Sequence, residues 1–542
     1  MKNILKSFMT TCLLVSMAMT GVAQKDYSQS EGLLKYVDPY IGSGFHGHVF
    51  VGTSVPYGMV QVGPNNIHKG WDWCSGYHYS DSILIGFSHT HLNGTGCADL
   101  GDIMIMPMNE IRTERGEQED ISNGYASRYS HNTETARPEY YSVMVERYNI
   151  KAEMTATNRV GFHRYTYPKG KPASILVNLS EGNADRKAVW CYARKIDDYT
   201  IEGYRYSHYW SPNRKVYFTL KADQKIEDFT VYDGNVAKSK EQWHTPFLKA
   251  ALTFGNVEQV QIKVTLSSVS CENAAMNLKA ELDHWDFDKV VKASADRWNE
   301  QLQKIVVEGK SEADKRIFYT AHYHTMITPS TYCDVNGEYR GMDDMIYTSP
   351  TKENYTTLSL WDTYRTLQPL MTLTQAERVP GIVNSMLSIY RQQNKLPIWA
   401  LHNGETECMP GYSSMPIISD AILKGIEGFD YEEAFKAMKA STTYEHQNAV
   451  PYILKQEFLP ADSVIQATSF AMEYAVGDWG VAAVAKKLGK MEDHAEYAKR
   501  AGYYKHYFDQ NINFVRPKLS DGSWLTPYDP ARSVHGGSGS YF

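Results

Sequence analysis

The chain has 542 residues, of which 42% are hydrophobic, and it carries a formal net charge of −7 at pH 7. This length and apolar content predict two or three folded domains and argue against a disordered chain. The negative charge argues against binding to nucleic-acid phosphates through bulk electrostatics, so we expect no nucleic-acid partner.

Residues 1–23 have the pattern of a signal peptide. Two lysines precede an apolar run over residues 8–19, and the small residues that a signal peptidase requires end at Ala23. We therefore expect cleavage after Ala23 and export to the periplasm or the medium of a Gram-negative bacterium. No later stretch approaches about 20 continuous apolar residues, so the sequence predicts no membrane-spanning helix.

The chain has seven cysteines, one of which falls inside the expected signal peptide. The others are widely spaced and include no Cys-x-x-Cys pair, which excludes a zinc knuckle and a compact disulfide framework. Long-range disulfides remain open. The 39 tyrosines and 11 tryptophans favour sugar binding, because such rings stack on sugars while their polar edges form hydrogen bonds.

Residues 24–285 are predicted to form an antiparallel β-sandwich. Short apolar or alternating segments recur there about every ten residues, and turn residues separate them; examples are ILIGFS, VYFTLKA and VQIKVTLSSVS. A period of two at this spacing is typical of the strands of a sandwich.

The segment GWDWCSGYHYSD (70–81) is the first candidate for sugar contacts. It sets Trp71 beside Asp72, so that a flat ring lies next to a carboxylate acceptor. Such a pair suits one wall of a sugar-binding site. The alternative is a sandwich edge packed with aromatic residues.

The segment GFSHTHLNGTGCADLGD (86–102) allows two interpretations. His89 and His91 point to the same side if the segment is extended, and with the two aspartates that follow they suit the metal site of a metallohydrolase. Alternatively, the glycines permit turns that other residues avoid, so that the loop reaches towards the second half of the chain. We favour the second interpretation and expect His89, His91 and Asn93 to contact a sugar.

After residue 285 the apolar residues recur at i, i+3, i+4 and i+7, which is typical of amphipathic helices. We expect a linker helix over residues 286–310 and a helical domain over residues 311–542. Because the joining loops are short, stacked antiparallel helix pairs are predicted.

Two segments of the helical domain carry candidate binding residues. In SLWDTYRT, a helix would place Asp362 and Arg365 on one face beside Trp361. Asp362 would then accept hydrogen bonds from sugar hydroxyls next to the tryptophan ring, or the three would form an internal ion pair beside a core tryptophan. In HNGETECMPGYSS, Glu405 lies in a loop before a helix, where it would bind hydroxyls or favour the helix N-terminus.

Several long motifs occur in a fixed order along nearly the whole mature chain. They are YVDPYIGSG (36–44), SVPYGMVQVGP (54–64), GFSHTHLNGTG (86–96), YTTLSLWDTYRTLQPL (355–370), GETECMPGY (404–412) and EYAVGDWGVAAVAKKLG (473–489). Together they resemble the calcium-dependent exo-acting α-mannosidases of glycoside hydrolase family 92.

The resemblance implies an N-terminal β-sandwich packed on a C-terminal (α/α)6-type helical barrel, with both parts lining the active site. It implies removal of terminal mannose from N-glycans or mannans with inversion, and an α-1,2 linkage is the leading expectation. Ca2+ is expected at the sugar, although its ligands are not assigned to residues of this sequence.

One departure from the family concerns the catalytic carboxyl groups. In the family, a helix soon after a DGSW..P.DP segment carries the general acid, and a later Gly-acidic-acidic segment supplies the base. Here DGSWLTPYDP occupies 521–530, so the resemblance places both groups beyond Phe542 and implies a barrel that is incomplete in this chain. A non-hydrolytic mannose-binding protein and a His/Asp metallohydrolase stay open as alternatives.

Overall fold

The structure is a computed structural model that describes residues 30–444 and 449–531. The expected signal peptide over residues 1–23 lies outside the described residues. Within them, strands occupy the first half of the chain and helices the second, which confirms the predicted antiparallel β-sheets followed by a helical domain. None of the described helices is long and apolar enough to cross a membrane.

Two antiparallel β-sheets, of eight and nine strands, form the N-terminal half. The strands of the first sheet are β1 (Gly63–Asn66), β2 (Ile83–Ser88), β3 (Met104–Met108), β4 (Ser127–Arg128), β9 (Ser174–Asn178), β13 (Asp228–Asp233), β14 (Val236–Ser239) and β16 (Leu248–Thr253). The strands of the second are β5 (Thr135–Arg137), β6 (Tyr140–Val145), β7 (Ile150–Ala156), β8 (Val160–Thr166), β10 (Trp190–Lys195), β11 (Thr200–Ser207), β12 (Arg214–Ala222), β15 (Gln242–Thr245) and β17 (Gln259–Ser267).

The inner faces of the two sheets meet in one core. The first sheet has the order β1-β2-β3-β9-β16-β13-β14, with β4 paired to β2, and the second has the order β15-β10-β11-β12-β17-β8-β7-β6-β5. Along β12, Val216 and Phe218 are buried while Tyr217 between them is only partly so, because successive side chains point to opposite faces. Phe218 joins Ile105 and Leu176 of the other sheet in the sandwich core.

The C-terminal half contains the described α-helices. They are α1 (Cys271–Glu281), α2 (Phe287–Leu302), α3 (Glu312–His324), α4 (Leu360–Thr363), α5 (Leu367–Thr374), α6 (Val379–Gln393), α7 (Ser414–Leu423), α8 (Tyr431–Thr442), α9 (Val450–Gln456), α10 (Ala467–Lys487) and α11 (Met491–Ala501). The short strands of this half are β18 (Ser330–Thr331), β19 (Glu338–Arg340), β20 (Ile346–Thr348), β21 (Tyr355–Thr356), β22 (Leu358–Ser359), β23 (Trp399–Leu401), β24 (Gly404–Glu405), β25 (Phe508–Asp509) and β26 (Phe514–Val515). The first α-helix, α1, begins at Cys271, before the expected boundary at residue 285. It packs back against β12 and β17 of the sandwich.

Several helices begin where a side chain satisfies the first free backbone amides. Ser270, Asp286, Ser311 and Asp430 each accept a hydrogen bond from an amide two or three residues later. Serine and aspartate are preferred at this position because their short side chains reach those amides. The local sequence thus sets the starts of α1, α2, α3 and α8.

The two halves share a core at their junction. Phe50 and Tyr57 belong to the N-terminal half but lie buried in the helical cluster that contains Trp298. Trp298 Nε1 donates to the Ser54 carbonyl at 2.8 Å, and the Tyr57 amide donates to the Met326 carbonyl at 2.8 Å. Buried contacts therefore fix the halves against each other.

A buried ion network holds the segment 86–102 on the sandwich. Asp102 Oδ1 lies 2.7 Å from Arg205 Nη1, and Arg214 contacts Oδ2 of the same carboxylate. Arg214 also reaches Asp99 at 3.0 Å. Burial by itself would raise the pKa of Asp102, but the charges of Arg214 and Arg205 outweigh it and hold that pKa below its ordinary value. The carboxylates that a metal site would need are thus held by two arginines.

Replacing Asp102 by Asn should lower the free energy of unfolding by about 3–5 kcal/mol, because the buried Arg205 would lose its carboxylate partner and Arg214 would keep only Asp99. The control is Asp198→Asn, since Asp198 pairs with Lys195 and Lys225 at the surface and its loss should leave unfolding nearly unchanged. Urea denaturation followed by tryptophan fluorescence measures both variants. Equal losses in the two would contradict a special role for the buried network.

Candidate functional site

A hollow of about 590 Å³, here called the sandwich hollow, lies beside the segment 86–102. Trp71, Trp210, Gly96 and Cys97 are among the residues that line it. Trp71 is 57% exposed, so its ring is open to a ligand. At Gly96 an added Cβ would lie 2.8 Å from the ring of Trp71, so a larger residue there would displace that ring.

A second hollow of about 450 Å³, here called the helical hollow, lies within the helical domain. Its lining includes Glu407, Met409, Gly411 and Phe470. Gly411 has a φ of +82°, and an added Cβ would lie 2.5 Å from Cβ of Glu473. The bend therefore requires glycine, which brings the loop that contains Glu407 and Met409 close to α10.

Cys408 lies where the sandwich side meets the helical side. It packs against a buried cluster that combines Leu100 of the sandwich side with Trp399 of the helical side. Cys97 and Cys408 are both half-buried. The Cys97 thiol lowers the pKa of Cys408 to about 7, and the carboxylate of Asp362 opposes the shift. Glu407 and Met409, the chain neighbours of Cys408, line the helical hollow. The helical hollow therefore lies on the helical side of this boundary and the sandwich hollow on the other, while Asp362 lines neither of them.

Trp71 and Asp72 lie on the sandwich side of this junction. Trp71 Nε1 donates to the Gly96 carbonyl at 2.8 Å, and its ring meets His48 edge-on at 4.3 Å between centroids. Asp72 Oδ1 lies 2.5 Å from His46 Nδ1, and this hydrogen bond lowers the pKa of Asp72. Asp72 is therefore ionised and engaged with a histidine, while the Trp71 ring remains open.

His89 and His91 are buried in the sandwich and line neither hollow. His89 Nδ1 lies 2.7 Å from the Ile103 carbonyl, and its Nε2 lies 3.0 Å from His163 Nε2. His91 Nδ1 lies 2.9 Å from the Ser75 carbonyl. Burial lowers the pKa of each to about 4, so both rings are neutral at pH 7. In this arrangement the two histidines hold the segment in place.

Asn93 also contributes to the local fold of the segment. Its Oδ1 accepts a hydrogen bond from the Phe50 amide at 3.0 Å. The next residue, Gly94, turns with a φ of +70° and donates to the His48 carbonyl at 2.9 Å. These contacts turn the chain so that Gly96 lies beside the sandwich hollow.

Trp361 and Arg365 belong to a network that reaches α10. The Arg365 guanidinium stacks over the Trp361 ring at 5.0 Å. Arg365 Nη2 pairs with Glu473, and the Tyr364 hydroxyl donates to the other oxygen of Glu473 at 2.7 Å. The guanidinium is thus directed to α10, and the internal Asp362–Arg365 ion pair that the sequence left open does not form here.

Asp362 and Trp361 keep unused polar capacity. Asp362 is exposed and accepts a hydrogen bond from the Ser359 hydroxyl. Trp361 is half-buried, and among the described residues its Nε1 has no hydrogen-bond partner. A carboxylate has room for about four hydrogen bonds, so Asp362 can accept more. An acceptor and a donor therefore lie side by side near the junction.

Glu405 faces the backbone of its own hairpin. Its carboxylate accepts hydrogen bonds from the amides of Ile398, Trp399 and Glu407, each at 2.9 Å. Burial raises the pKa of Glu405, and the three amides oppose that shift. The side chain therefore organises the loop that carries Cys408.

Trp210 is a site residue that the sequence patterns did not single out. It lies in the turn between β11 and β12, and its ring packs on Trp399 with centroids 4.4 Å apart. The next residue, Ser211, donates through its hydroxyl to the Leu401 carbonyl at 2.6 Å. The signal that marks it is SHYWSPN, in which an aromatic pair precedes turn-forming residues.

The described residues do not by themselves fit the calcium ion that the resemblance implies. Over 30–444 and 449–531, no three His, Cys, Asp or Glu side chains are grouped so that they would hold a metal ion. Calcium prefers six to eight oxygen ligands. No mechanistic step is therefore assigned to a metal.

Two family models match the chain. Residues 36–267 match the glycosyl hydrolase family 92 N-terminal domain, and residues 273–541 match the glycosyl hydrolase family 92 catalytic domain. A curated relative is an uncharacterised secreted glycosidase of Arthroderma benhamiae, which is 25% identical over 92% of this chain and 67% of the relative.

Solved structures give the same result. A family GH92 α-mannosidase of Bacteroides thetaiotaomicron is 36% identical and has a TM-score of 0.89, over 93% of this chain and 69% of that one. The same enzyme is solved with mannoimidazole, at a TM-score of 0.91, 35% identity, and coverage of 94% and 69%. A family GH92 inverting mannosidase of the same organism is 25% identical and has a TM-score of 0.83, over 93% and 69%.

Replacing Glu405 by Ala should lower the free energy of unfolding by about 2–4 kcal/mol, because three backbone amides lose their acceptor. The control is Glu110→Ala, since Glu110 is exposed and pairs with Arg112 at the surface. Urea denaturation measures both variants, and sugar binding is measured on the same samples. Unchanged stability with weaker sugar binding would assign Glu405 to the ligand and contradict the structural role.

Proposed function

Since the chain belongs to glycoside hydrolase family 92, we propose that it is an exo-acting α-mannosidase whose sugar site lies at the junction of the sandwich hollow and the helical hollow. The proposed substrates are mannose-containing glycans, either N-glycans or mannans, with a terminal α-1,2 linkage. A relative solved with mannoimidazole supports a mannose-type ligand. The signal pattern over residues 1–23 supports export.

The observation that carries the proposal is the position of Trp361 and Asp362. Asp362 is exposed and close to Cys408, so it lies at the junction rather than inside the helical core. Trp71 lies on the opposite, sandwich side of the same junction. A sugar has apolar ring faces and hydroxyl-bearing edges, so aromatic rings and a carboxylate acceptor around one space suit it.

Each of these side chains has a proposed task. Asp362 accepts hydrogen bonds from two neighbouring sugar hydroxyls, and Trp361 packs beside the ring and offers its Nε1. Arg365 stacks on Trp361 and keeps that ring in place, while Glu473 positions Arg365 through their ion pair. Trp71 closes the space from the sandwich side.

We assign neither the general acid nor the base to a described residue. Inversion requires a protonated carboxyl group and a second carboxylate about 6.5–9.5 Å from it. Glu473 is linked to Trp361 through Arg365, but Arg365 and Tyr364 already hold both of its oxygens. Asp478, whose pKa burial raises to about 6, is fully enclosed beside Arg500. The family resemblance supports positions for both groups later in the sequence than the described residues.

Calcium assistance belongs to the proposal on the strength of the family resemblance alone. The chain's own residues are proposed to bind and orient the sugar and to shield it from water.

Mannose binding without hydrolysis is the second candidate. The engagement of Glu473 favours it, because this carboxylate is already used to hold Arg365. Asp362 and Trp361 would have the same contacts in both candidates. Only product release separates them.

Asp362→Asn should weaken binding of α-1,2-mannobiose by about 10- to 100-fold, because a hydrogen bond to a charged group contributes about 1.5–3 kcal/mol and 1.4 kcal/mol is tenfold. The control is Asp420→Asn, since Asp420 is a helix-surface carboxylate paired with Lys424. Isothermal titration calorimetry measures binding, with added calcium and with a chelator, and released mannose is assayed in parallel.

Release of mannose by the unaltered chain supports hydrolysis, and heat of binding without release supports the second candidate. A folded chain that binds no mannobiose under either condition overturns the proposed sugar site. Equal weakening by the substitutions at Asp362 and Asp420 would do the same.

A further inference from the structure

A third hollow of about 330 Å³, here called the hairpin hollow, lies in the helical domain between α6 and the hairpin formed by β19 and β20. It shares no lining residue with the sandwich hollow or the helical hollow. Sites for small molecules generally have about 300–1,000 Å³. The hairpin hollow is therefore large enough for one small ligand and is separate from the sugar site proposed above.

Two tyrosines of the hairpin form one wall of this hollow. Tyr339 and Tyr347 are directly opposite each other on the two strands, so their side chains lie on the same face. Their rings stack with centroids 6.1 Å apart. Tyr339 is buried, whereas Tyr347 is 36% exposed, and the Tyr347 hydroxyl donates to Asp343 Oδ2 at 2.6 Å. The outer ring is therefore held in place and open to a ligand.

A row of polar side chains on α6 forms another wall. Asn384, Ser388 and Gln392 follow one another at intervals of four residues, so they lie on one face of the helix. Asn384 Nδ2 donates to the Gly428 carbonyl at 2.9 Å, while its Oδ1 has no hydrogen-bond donor among the described residues. An amide oxygen thus remains as an acceptor at the hollow.

Glu353 adds a carboxyl group to the same hollow. It is half-buried, and no described residue donates a hydrogen bond to its side chain. Its Oε2 lies against α6 at Gly381, where an added Cβ would collide with it. Burial raises the pKa of Glu353, because a carboxylate withdrawn from water loses stabilisation, and the charge of Arg378 opposes the shift. The hydroxyl groups of a ligand would supply the missing donors.

The charges around the hollow favour a neutral ligand. Arg391 also lines it, but its guanidinium donates two hydrogen bonds to the carboxylate of Glu433. The positive charge is thereby neutralised, which makes the hollow unsuited to an anion. The groups that remain are two oxygen acceptors and a tyrosine ring. A neutral sugar fits them, because its hydroxyls donate hydrogen bonds and its apolar face packs on an aromatic ring.

The hairpin is anchored on two sides. Gln392 Oε1 accepts a hydrogen bond from the Met342 amide at 2.9 Å, which fixes the hairpin to α6. Arg340 Nε donates to the Ser268 carbonyl at 2.9 Å, which fixes it to the chain just after β17. Because both walls are positioned before a ligand arrives, little conformational entropy is lost on binding.

We propose that the hairpin hollow is a second sugar-binding site, which holds one neutral sugar unit through Tyr347, Glu353 and Asn384. The site performs no chemistry. It retains a branched or polymeric glycan on the chain while another part of that glycan reaches the junction. That the sugar is mannose rests on the proposed function, whereas the binding of a sugar at this hollow does not.

Hydrogen–deuterium exchange of the full chain locates the site. The peptides that cover residues 338–353 are followed with and without methyl α-mannoside, and methyl α-glucoside is the second probe. The Asp362→Asn variant is used, because the junction site is weakened in it. We expect slower exchange of these peptides with the mannoside. Unchanged exchange with both sugars overturns the proposal, and slower exchange with the glucoside alone overturns the assignment to mannose.

In the same Asp362→Asn background, Tyr347→Ala should weaken binding of soluble α-mannan by about 3- to 10-fold, because the sugar loses its aromatic ring. Affinity gel electrophoresis measures the binding. The matched control is Tyr199→Ala, since Tyr199 is 44% exposed and lines none of the three hollows. Equal binding by the two variants contradicts the proposal.

The two sugar sites can fail separately. Slower exchange at residues 338–353, together with mannobiose binding that Asp362→Asn leaves unchanged, upholds the hairpin site and overturns the junction site. Weaker mannobiose binding in Asp362→Asn, with unchanged exchange at residues 338–353, overturns the hairpin site alone. The exchange data do not require the Tyr347→Ala variant, so they decide the matter even if that variant does not fold.

Discussion

The neutralisation of Arg205 and Arg214 by Asp102 and Asp99 is the interaction on which the junction depends. Two buried guanidinium groups are unfavourable in the sandwich without these carboxylates. The arginines lie on β11 and β12, and the carboxylates lie on the segment 86–102, so one network fixes both. Asp99 also accepts the Ser211 amide at 2.8 Å, which ties the turn that carries Trp210 to the same network. The same network therefore fixes the turn that carries Trp210 and the segment whose Gly96 accepts the Trp71 hydrogen bond.

A different network of polar side chains organises the helical side. Arg365, Glu473 and Tyr364 form a partly exposed network that links the turn after α4 to α10. It holds the Trp361 ring by stacking and leaves Asp362 free to accept further hydrogen bonds. The sandwich side thus rests on a buried ion network and the helical side on a partly solvated one, so the proposed site would combine a fixed wall with residues that can exchange water for hydroxyl groups.

The periodicity of the sequence predicted the fold class, because strand and helix geometry impose periods of two and 3.6 on any chain with one buried face. The candidate site was only partly accessible to such reasoning. Trp71 lines the sandwich hollow, whereas Trp361 and Asp362 lie in the helical half and line neither hollow. The spacing of His89 and His91 indicates a shared direction, but whether that direction is inward depends on how the other sheet packs, which no local pattern records. Glu405 illustrates the same limit, since its amide partners are fixed by the turn of the hairpin.

Trp210 could have been predicted from the sequence. The aromatic pair before Ser-Pro-Asn indicates an exposed turn with an anchored ring. The position of Cys408 left no such trace. Cys408 packs against a cluster that contains Leu100 from the other half of the chain, and only the packing of the two halves brings them together.

Burial of Phe50 and Tyr57 among the helices has a consequence for protein engineering. A cut between β17 and α1 looks like a natural place to separate the halves, yet each fragment would expose aromatic surface that the other one covers. Chimaeras between relatives should therefore exchange residues 50–57 together with the helices that surround them. The segment that must be exchanged as one piece is therefore the packed interface. It does not coincide with the point in the sequence where strands end and helices begin.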